Sequence, residues 1–345
     1  MNKVLITGGS GFFGEILLRR LLAENMQCVN IDLEKSVLNH PHLVNIQGDI
    51  RDRSTLKGIF SGQNISAVFH CAAILAHAVK DKNFLWTSNV DGTRQVAEMA
   101  KEYEVPKVIF TSSNCLWGED FNRPIREDDP PKPIEIYGKS KWEGEKILLD
   151  YSKYFDSVII RCPTIIEEGR LGLLAILFQF IDEGRKVWVV GGGSNVYQFI
   201  YAQDLVDACI KAMDYKKTDI FNIGSDHVRT IRSIYEYVIQ KAKTGARVAS
   251  LPKGPTLQMM KLAYILKMSP LGPYQYKMIA ANFMFDTSKI KQVLNWKPTL
   301  TNEEMLCRSY EYFHKNREEI LNRKRVSAHK QAAEMGIIRV LKWFS

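Results

Sequence analysis

The sequence has no uninterrupted apolar run of about 18 residues, the length that an ordinary membrane-spanning helix needs. Its start, MNKVLITGG, contains only a five-residue apolar run. This is too short for the core of a secretory signal, so we expect the protein to stay in the cytoplasm. The six cysteines form no CxxC pair and show none of the usual metal-ligand spacings. We therefore expect reduced thiols and no bound metal.

Positive charge is concentrated near the C-terminus. Residues 315–345 contain eight Lys or Arg and three Glu, so they carry +5 of the net +9. A nucleic-acid partner would need a basic patch together with a recognition motif, and we expect no such partner. On a helical projection, the apolar residues of 336–344 fill one broad arc opposite Arg339 and Lys342. Such a segment suits a membrane surface; packing on the protein itself or on a second copy, or no stable structure, are the alternatives.

A glycine-rich turn follows the first apolar run. Residues 3–7, KVLIT, predict a strand, and EILLRRLLAE beyond the turn has the apolar spacing of a helix. Between them Gly9, Gly11 and Gly14 match GxGxxG, whose missing side chains allow a sharp turn, a close pyrophosphate and tight helix packing. The phosphates would lie at the helix N-terminus, which favours an anion. The motif alone would also fit a glycine-rich turn that binds nothing.

A second strand supports a dinucleotide site. CVNID ends in Asp32, 18 residues after Gly14. A carboxylate at this place accepts hydrogen bonds from an adenosine ribose and repels a 2′-phosphate, so we favour NAD over NADP. Further apolar runs, LVNIQ, AVFHCAA, KVIFTSS and SVIIRC, alternate with helical stretches. This alternation predicts an α/β fold with a Rossmann-type doubly wound parallel sheet.

Three polar residues form a candidate catalytic group. Tyr137 and Lys141 lie four residues apart in IYGKSKWEGEKIL, so a helix places them on one face. An ammonium group stabilises a phenolate, which brings the pKa of the tyrosine closer to what a general base needs. Ser113 closes VIFTSS at the carboxyl edge of the predicted sheet, where α/β proteins bind ligands. We predict that Tyr137 exchanges a proton with a secondary alcohol while Ser113 orients the reacting oxygen.

The ordered series of motifs resembles the extended short-chain dehydrogenases/reductases, the superfamily of sugar-nucleotide epimerases and dehydratases and of 3β-hydroxysteroid dehydrogenases. The resemblance covers about residues 1–313 and rests on TGGSGFFG, GDIRD, VFHCAA, NVDGT, FTSSNCLWG, YGKSK, FIYAQDLVDA, FNIGS and DTSKIKQVLNW. It implies an NAD-dependent enzyme that transfers a hydride at a secondary alcohol or ketone carbon. It also implies a homodimer formed through the helices that carry YGKSK and NVDGT.

The same resemblance implies a set of cofactor contacts. They are Gly8, Gly11, Phe12, Phe13 and Gly14 in the nucleotide turn, Asp32 at the ribose, Asp49 and Ile50 at the adenine, Ala72 and Ala73 along the cofactor, Asn89 behind the active-site helix, Pro163 at the nicotinamide end, and Tyr137 and Lys141. These positions predict where NAD binds.

Departures from the family patterns bear on the substrate. At the end of the VIFTSS strand, 4,6-dehydratases have a TDE-like sequence, whereas this chain has Ser112, Ser113 and Asn114. The acid pair that would eliminate water is therefore missing, and dehydration is disfavoured. Many sugar-nucleotide epimerases bind the diphosphate of the substrate with an Asn and an Arg. Here Thr164 replaces the Asn, and Lys277 is the residue that could stand in for the Arg. Asn114, Thr164 and Lys277 are therefore the candidate substrate residues.

Two substrate classes fit these patterns. The first is a sugar nucleotide or related sugar, which the enzyme would epimerise or reduce. The second is a sterol or other lipid alcohol, because IIRCPTIIEEGR also resembles the steroid-dehydrogenase branch. A non-enzymatic NAD-binding protein is a third interpretation, disfavoured because the Ser, Tyr and Lys are all intact.

The chain is long enough for two lobes with a cleft between them. We assign residues 1–163, with parts of 187–224, to an NAD-binding domain. Residues 164–186 and 225–313 then form a substrate lobe, and 314–345 a basic tail. The stretch 255–285 is rich in Met, Tyr and Leu; it is either a packed helical part of that lobe, or an apolar acceptor site or lipid-facing surface.

Overall fold

The computed structural model describes residues 3–76, 79–172, 174–266 and 272–322, with residues 321 and 322 described by their backbone alone. The strands in these ranges are β1 (Lys3–Thr7), β2 (Gln27–Asp32), β3 (Leu43–Gln47), β4 (Ile65–His70), β5 (Lys107–Ser113), β6 (Asp156–Cys162), β7 (Thr164–Ile166), β8 (Lys186–Val190), β9 (Phe199–Tyr201), β10 (Asp219–Asn222) and β11 (Arg247–Leu251).

The α-helices in the same ranges are α1 (Phe12–Ala23), α2 (Arg53–Ser61), α3 (Lys82–Glu102), α4 (Ile136–Asp150), α5 (Leu174–Asp182), α6 (Ala202–Asp214), α7 (Ile231–Ala242), α8 (Lys253–Ile265), α9 (Pro273–Met278), α10 (Ser288–Leu294), α11 (Asn302–Lys315) and α12 (Arg317–Asn322). Two short 3-10 turns, Asn114–Leu116 and Gly191–Gly193, follow β5 and β8.

Seven strands form one parallel sheet in the order β10-β6-β5-β4-β1-β2-β3. Their continuous apolar runs reflect burial on both faces. On one face α1, α6 and α10 pack into a hydrophobic core, and on the other α2, α3 and α4 form a second core. The structure confirms the predicted α/β fold with a doubly wound parallel sheet.

The order of the strands positions the candidate site. β1 lies between β2 and β4, so the chain winds outwards from it in two opposite directions. Ligands of open α/β sheets bind at the carboxyl ends of the strands, where the strand order reverses. The segments that follow β1, β4, β5 and β6 meet at this edge, and they carry the candidate site.

A smaller group of elements packs beyond the sheet. β7 pairs with β9 and β8 pairs with β11, both parallel, and α5, α7 and α11 bury their apolar side chains in a separate core. A further cluster around Trp117, Tyr274 and Phe283 connects α9 with the segment after β5. The domain boundaries proposed above stay a prediction.

Across the described ranges, no helix has both the length and the apolar character that crossing a membrane requires. Nor do the described residues contain a group of three His, Cys, Asp or Glu side chains that could hold a metal ion. The six cysteines are free thiols. Residues 336–344, the amphipathic segment of the sequence analysis, lie outside the described residues.

Candidate active site

The glycine-rich turn between β1 and α1 has no room for side chains. Gly8 has a φ of +78°, and a methyl group built on it would lie 2.7 Å from the Cα of Ala72. A methyl group on Gly14 would lie 2.1 Å from the carbonyl oxygen of Gly8. Gly11 is the N-cap of α1 and provides no capping side chain at the end of the helix that favours an anion. The turn therefore fits the pyrophosphate of a dinucleotide.

Asp32 ends β2 beside this turn. One carboxylate oxygen accepts a hydrogen bond from the Ser10 N–H at 2.9 Å, and the other accepts one from the Glu34 N–H at 2.9 Å. The first bond ties the carboxylate to the glycine-rich turn. Each oxygen can accept a further hydrogen bond, so the position suits the ribose hydroxyls that the sequence predicts there.

Asp49 and Ile50 follow β3. Asp49 pairs with Arg51, with 2.6 Å between Oδ2 and Nη2. Burial opposes ionisation of Asp49, but hydrogen bonds from Arg51 outweigh it and hold the pKa of this carboxyl below its usual value. Ile50 is buried against Gly92 of α3, where a methyl group would lie 2.6 Å from its Cδ1. An adenine amino group bound here would donate to the same carboxylate as Arg51. The motif alone does not predict that Asp49 is paired with Arg51.

Asn89 on α3 joins two parts of the site. Its side chain exchanges hydrogen bonds with the backbone of Ile74, donating at 3.0 Å and accepting at 2.7 Å. The same amide donates to the Ser140 hydroxyl of α4 at 3.0 Å. Ala72 and Ala73 lie just before Ile74, in the segment after β4. Asn89 therefore has the geometry of a residue that holds α4 against the predicted cofactor segment.

Ser113, Tyr137 and Lys141 come together at the carboxyl edge of the sheet. Ser113 is the last residue of β5, and its hydroxyl lies near enough to the phenol of Tyr137 to lower the pKa of that phenol. Lys141 lies one turn further along α4, where it is buried with its Nζ 3.9 Å from the centroid of the Phe110 ring. This edge of the sheet thus brings a phenol and a hydroxyl together, with a buried lysine one helical turn away, as the predicted proton exchange with an alcohol would require.

Burial dominates the titration of these groups. It raises the pKa of the Tyr137 phenol well above its usual value, while the hydrogen bond with Ser113 and the charge of Arg170 act in the opposite direction. Burial also lowers the pKa of Lys141 to about 8. In the protein alone Tyr137 is a neutral phenol, so its use as a base requires additional positive charge in the cleft. The predicted tuning of Tyr137 by Lys141 stays a prediction.

Asn114 links the catalytic edge to the smaller lobe. Its amide nitrogen donates to the hydroxyls of Tyr197 at 2.7 Å and Tyr274 at 3.0 Å, and its oxygen accepts from the Ser113 hydroxyl at 3.4 Å. Tyr197 also hydrogen-bonds with Thr164. Two predicted substrate residues, Asn114 and Thr164, therefore share one network with two tyrosines that the motifs did not single out.

Arg170 is a further cleft residue that the motifs missed. Its Cζ lies 5.6 Å from the centroid of the Phe12 ring, and its charge acts on Tyr137 and Tyr197. Burial lowers the pKa of the guanidinium to about 10, so the group stays positive at neutral pH. The groups whose charges act most on it are Cys162, Tyr137 and Tyr197. A cation placed here suits an anionic group of a bound ligand.

The remaining predicted residues lie at different depths. Phe12 and Phe13 are buried in the core beneath α1, and Pro163 is buried directly after β6. Lys277 is exposed near the end of α9, whereas Tyr274, one turn earlier on the same helix, is buried in the Asn114 network. The structure therefore brings Tyr274 rather than Lys277 into that network.

Together these features define a dinucleotide-binding α/β protein with a Ser-Tyr-Lys cleft. A family model described as the NAD dependent epimerase/dehydratase family matches residues 4–224. The chain belongs to this family, and it is an NAD-dependent enzyme of the extended short-chain dehydrogenase/reductase type. The 3β-hydroxysteroid branch, to which some of its motifs are also similar, is not indicated by this match.

Curated relatives extend the similarity over almost the whole chain. An uncharacterised protein of Sinorhizobium fredii, y4nG, is 35% identical and covers 99% of this chain and 86% of its own length. UDP-glucose 4-epimerase of Mycolicibacterium smegmatis is 27% identical over 90% of this chain and 98% of its own. A probable UDP-arabinose 4-epimerase of Arabidopsis thaliana is 28% identical over 88% of this chain and 78% of its own.

Solved structures share the fold. UDP-glucose 4-epimerase of Thermotoga maritima, solved with UDP-glucose, superposes with a TM-score of 0.75 at 23% identity, over 91% of this chain and 99% of that one. The enzyme WbmG of Bordetella bronchiseptica, solved with NAD and UDP, gives a TM-score of 0.74 at 20% identity, over 90% and 94% of the two chains.

Proposed function

We propose that this protein is a nucleotide-sugar epimerase that inverts one secondary alcohol carbon of a UDP-sugar, with C4 as the first position to test. The observation that carries the proposal is the meeting of Ser113 and Tyr137 beside the glycine-rich turn that fits a dinucleotide. The named 4-epimerase relatives support the same substrate class.

Tyr137 is the acid and base of the proposed reaction. Bound NAD would supply the acceptor for a hydride from the alcohol carbon and the donor of a hydride to the ketone. In the first half, the phenolate of Tyr137 takes the hydroxyl proton while the Ser113 hydroxyl donates a hydrogen bond to the same sugar oxygen. Once the ketone has turned in the cleft and received the hydride on its other face, Tyr137 returns the proton. The positive charge of the oxidised nicotinamide favours the phenolate, which offsets the burial that raises its pKa in the protein alone.

The polar network around Asn114 is the proposed sugar site. The amide nitrogen of Asn114 lies within 3.0 Å of the hydroxyls of Tyr197 and Tyr274. These groups can exchange their hydrogen bonds with one another for hydrogen bonds with sugar hydroxyls, so that no polar group is left unpaired. Arg170 supplies positive charge for a phosphate group at the same end of the cleft. Thr164 contacts this network, whereas Lys277 is placed outside it.

Two alternatives have less support. Elimination of water would need an acid pair where Ser112, Ser113 and Asn114 stand. Oxidation of a sterol or other lipid alcohol has no counterpart among the relatives named above. Homodimer formation, predicted from the family resemblance, stays a prediction that light scattering of the purified protein would test.

The deciding experiment incubates the purified protein with UDP-glucose, UDP-galactose, UDP-arabinose and UDP-N-acetylglucosamine and follows the C4 epimers by NMR. We expect one pair to interconvert without net NADH release at 340 nm. Replacement of Tyr137 by Phe should lower kcat about 10²- to 10⁴-fold, because it removes the proton-exchanging oxygen.

Tyr151→Phe is the matched control. Tyr151 ends the same helix, α4, but packs against Tyr154 and Phe155 away from the cleft. The Tyr151→Phe variant should keep full activity. If no UDP-sugar changed its stereochemistry while a hydrophobic alcohol produced Tyr137-dependent NADH, the enzyme would be a dehydrogenase and the epimerase proposal would be wrong.

A further inference from the structure

Helix α8 presents an apolar face to solvent. Of its residues only Ala263 is buried, whereas Met259, Leu262 and Ile265 are 69%, 56% and 63% exposed. Leu266, which caps the helix, is 57% exposed. Single exposed apolar side chains are ordinary, but a contiguous group of them marks an interaction surface.

These four side chains lie on one side of the helix. At about 100° per residue, positions 259, 262 and 266 fall on one stripe, and 265 lies next to it. Residues 256, 257, 260 and 263, which are less exposed, lie on the adjoining side of the helix, about 40° to 160° from Met259, and face the protein. The apolar stripe is therefore the outward face of α8, and no described side chain covers it.

The stretch of sequence that carries this face is rich in basic residues. Residues 237–285 contain seven Lys or Arg and no Asp or Glu. Lys253, Lys261 and Arg247, all exposed, lie on α8 and on β11 just before it. On the helical projection Lys261 lies beside Ile265 at the border of the stripe, whereas Lys253 lies on the opposite side and pairs with Asp120. An exposed apolar stripe with a basic border is the pattern of a helix that lies in the interface of an anionic membrane.

The helix is also connected to the active-site cleft. Tyr264 of α8 packs on Tyr276 of α9, with 6.2 Å between ring centroids. α9 carries Tyr274, whose hydroxyl accepts a hydrogen bond from Asn114 beside Ser113. A surface that docks on α8 would therefore lie next to the substrate lobe.

We propose that the outward face of α8 docks the enzyme on an anionic lipid surface, with Met259, Leu262, Ile265 and Leu266 inserted at the headgroup boundary. Charge favours a lipid surface over a second copy of the chain and over the chain's own C-terminal residues. A second copy packed by two-fold symmetry would bring the same predominantly basic region against itself, and like charges in contact repel. The chain's own residues 315–345 carry +5 and would be repelled in the same way.

The test is flotation of the full-length protein with phosphatidylcholine vesicles that contain either no anionic lipid or about one third phosphatidylglycerol. We expect binding to the anionic vesicles that weakens in high salt. The variant Met259→Ser, Leu262→Ser, Ile265→Ser should lower the partition coefficient by about tenfold or more, because three apolar side chains no longer enter the lipid.

Val37→Ser, Val44→Ser, Val293→Ser is the matched control, since it removes three other exposed apolar side chains. It should bind vesicles like the wild type, and both variants should keep the wild-type Tm. Wild-type binding by the α8 variant would overturn the proposal, as would loss of binding only in Trp343→Ser, Phe344→Ser. So would sedimentation that shows the α8 variant dissociating a dimer in the absence of any vesicle binding by the wild type. None of these readouts depends on the epimerase reaction.

Discussion

The first turn of α4 lies directly against the backbone at Cys115: a methyl group built on Gly138 would lie 2.1 Å from the Cys115 carbonyl oxygen. Gly138 follows Tyr137, and Cys115 lies two residues after Ser113. The close contact thus sets the distance between the helix that carries the phenol and the strand end that carries the hydroxyl. This explains the glycine in YGKSK by packing, without any unusual backbone conformation.

Gly138→Ala should therefore damage the site more than it damages the fold. The new methyl group must push α4 away from the carbonyl, a strain of about 1–3 kcal/mol. A displacement of about 1 Å can lower activity by about 10²-fold. We expect kcat/KM to fall by this order while the variant remains folded, as measured by epimer formation and by urea unfolding.

Gly58→Ala is the control for this substitution. Gly58 lies within α2, where a methyl group would meet nothing within 4 Å. Alanine should stabilise the helix there by up to about 1 kcal/mol and leave kcat/KM unchanged. Equal effects of the two substitutions on activity would show that the contact with Cys115 does not position Tyr137.

Arg170→Met should weaken ligand binding and change the pH dependence. Loss of hydrogen bonds to a charged ligand group costs about 1.5–3 kcal/mol, which raises KM roughly 10- to 100-fold. The Arg170 charge also lowers the pKa of Tyr137, so the acid limb of the kcat/KM profile should move to higher pH. Arg170→Lys keeps the charge and should leave that limb in place. Identical profiles for the wild type and Arg170→Met would mean that the guanidinium does not act on Tyr137.

The features that sequence could predict are the local and periodic ones. The buried strands are continuous apolar runs because helices cover both faces of the sheet, and such runs can be read directly. Gly14 is required by a contact within one turn, with the carbonyl oxygen of Gly8, so the GxGxxG spacing alone reveals it. Gly8 meets Ala72 after β4, and only the family resemblance pointed to it. Ser113 could be placed because it ends a strand, and parallel strands end at one edge.

The missed features depend on contacts between distant parts of the chain. Asn114 meets Tyr197 and Tyr274, which are 83 and 160 residues away, and no periodicity reports such a contact. Family resemblance pointed to Lys277, but the helical turn of α9 places Tyr274 on the buried side and leaves Lys277 exposed. The sequence around Arg170, EEGR, does not indicate that its guanidinium packs near the ring of Phe12.

A buried ion pair holds α4 against β6. Glu145 and Arg161 are almost fully buried, with 2.7 Å between Oε2 and Nη2, and Arg161 also donates to the carbonyl of Glu127 at 2.8 Å. Glu145→Gln would leave the guanidinium buried without a counter-charge, so it should lower the free energy of unfolding by about 3–5 kcal/mol. The exposed pair of Arg20 and Glu24 is the control; Glu24→Gln should cost less than about 1 kcal/mol. Comparable losses in urea unfolding would contradict the burial argument.

His70 makes the stability depend on pH. It is fully buried at the end of β4 between the hydroxyls of Thr7 and Thr93, at 2.7 and 2.8 Å. Burial, with a smaller contribution from the Lys141 charge, lowers its pKa to about 3. The unfolded chain protonates this histidine near pH 6.5, so between pH 6.5 and about 3 it binds one more proton than the native protein.

The His70 contribution to stability is therefore complete above pH 6.5 and is lost as the pH falls, by about 1.4 kcal/mol per pH unit. Between about pH 7 and pH 5, His70→Gln should lose roughly 2 kcal/mol less free energy of unfolding than the wild type. His227 is exposed, and His227→Gln should follow the wild-type curve. Parallel curves for the wild type and His70→Gln would mean that folding does not shift the pKa of the imidazole.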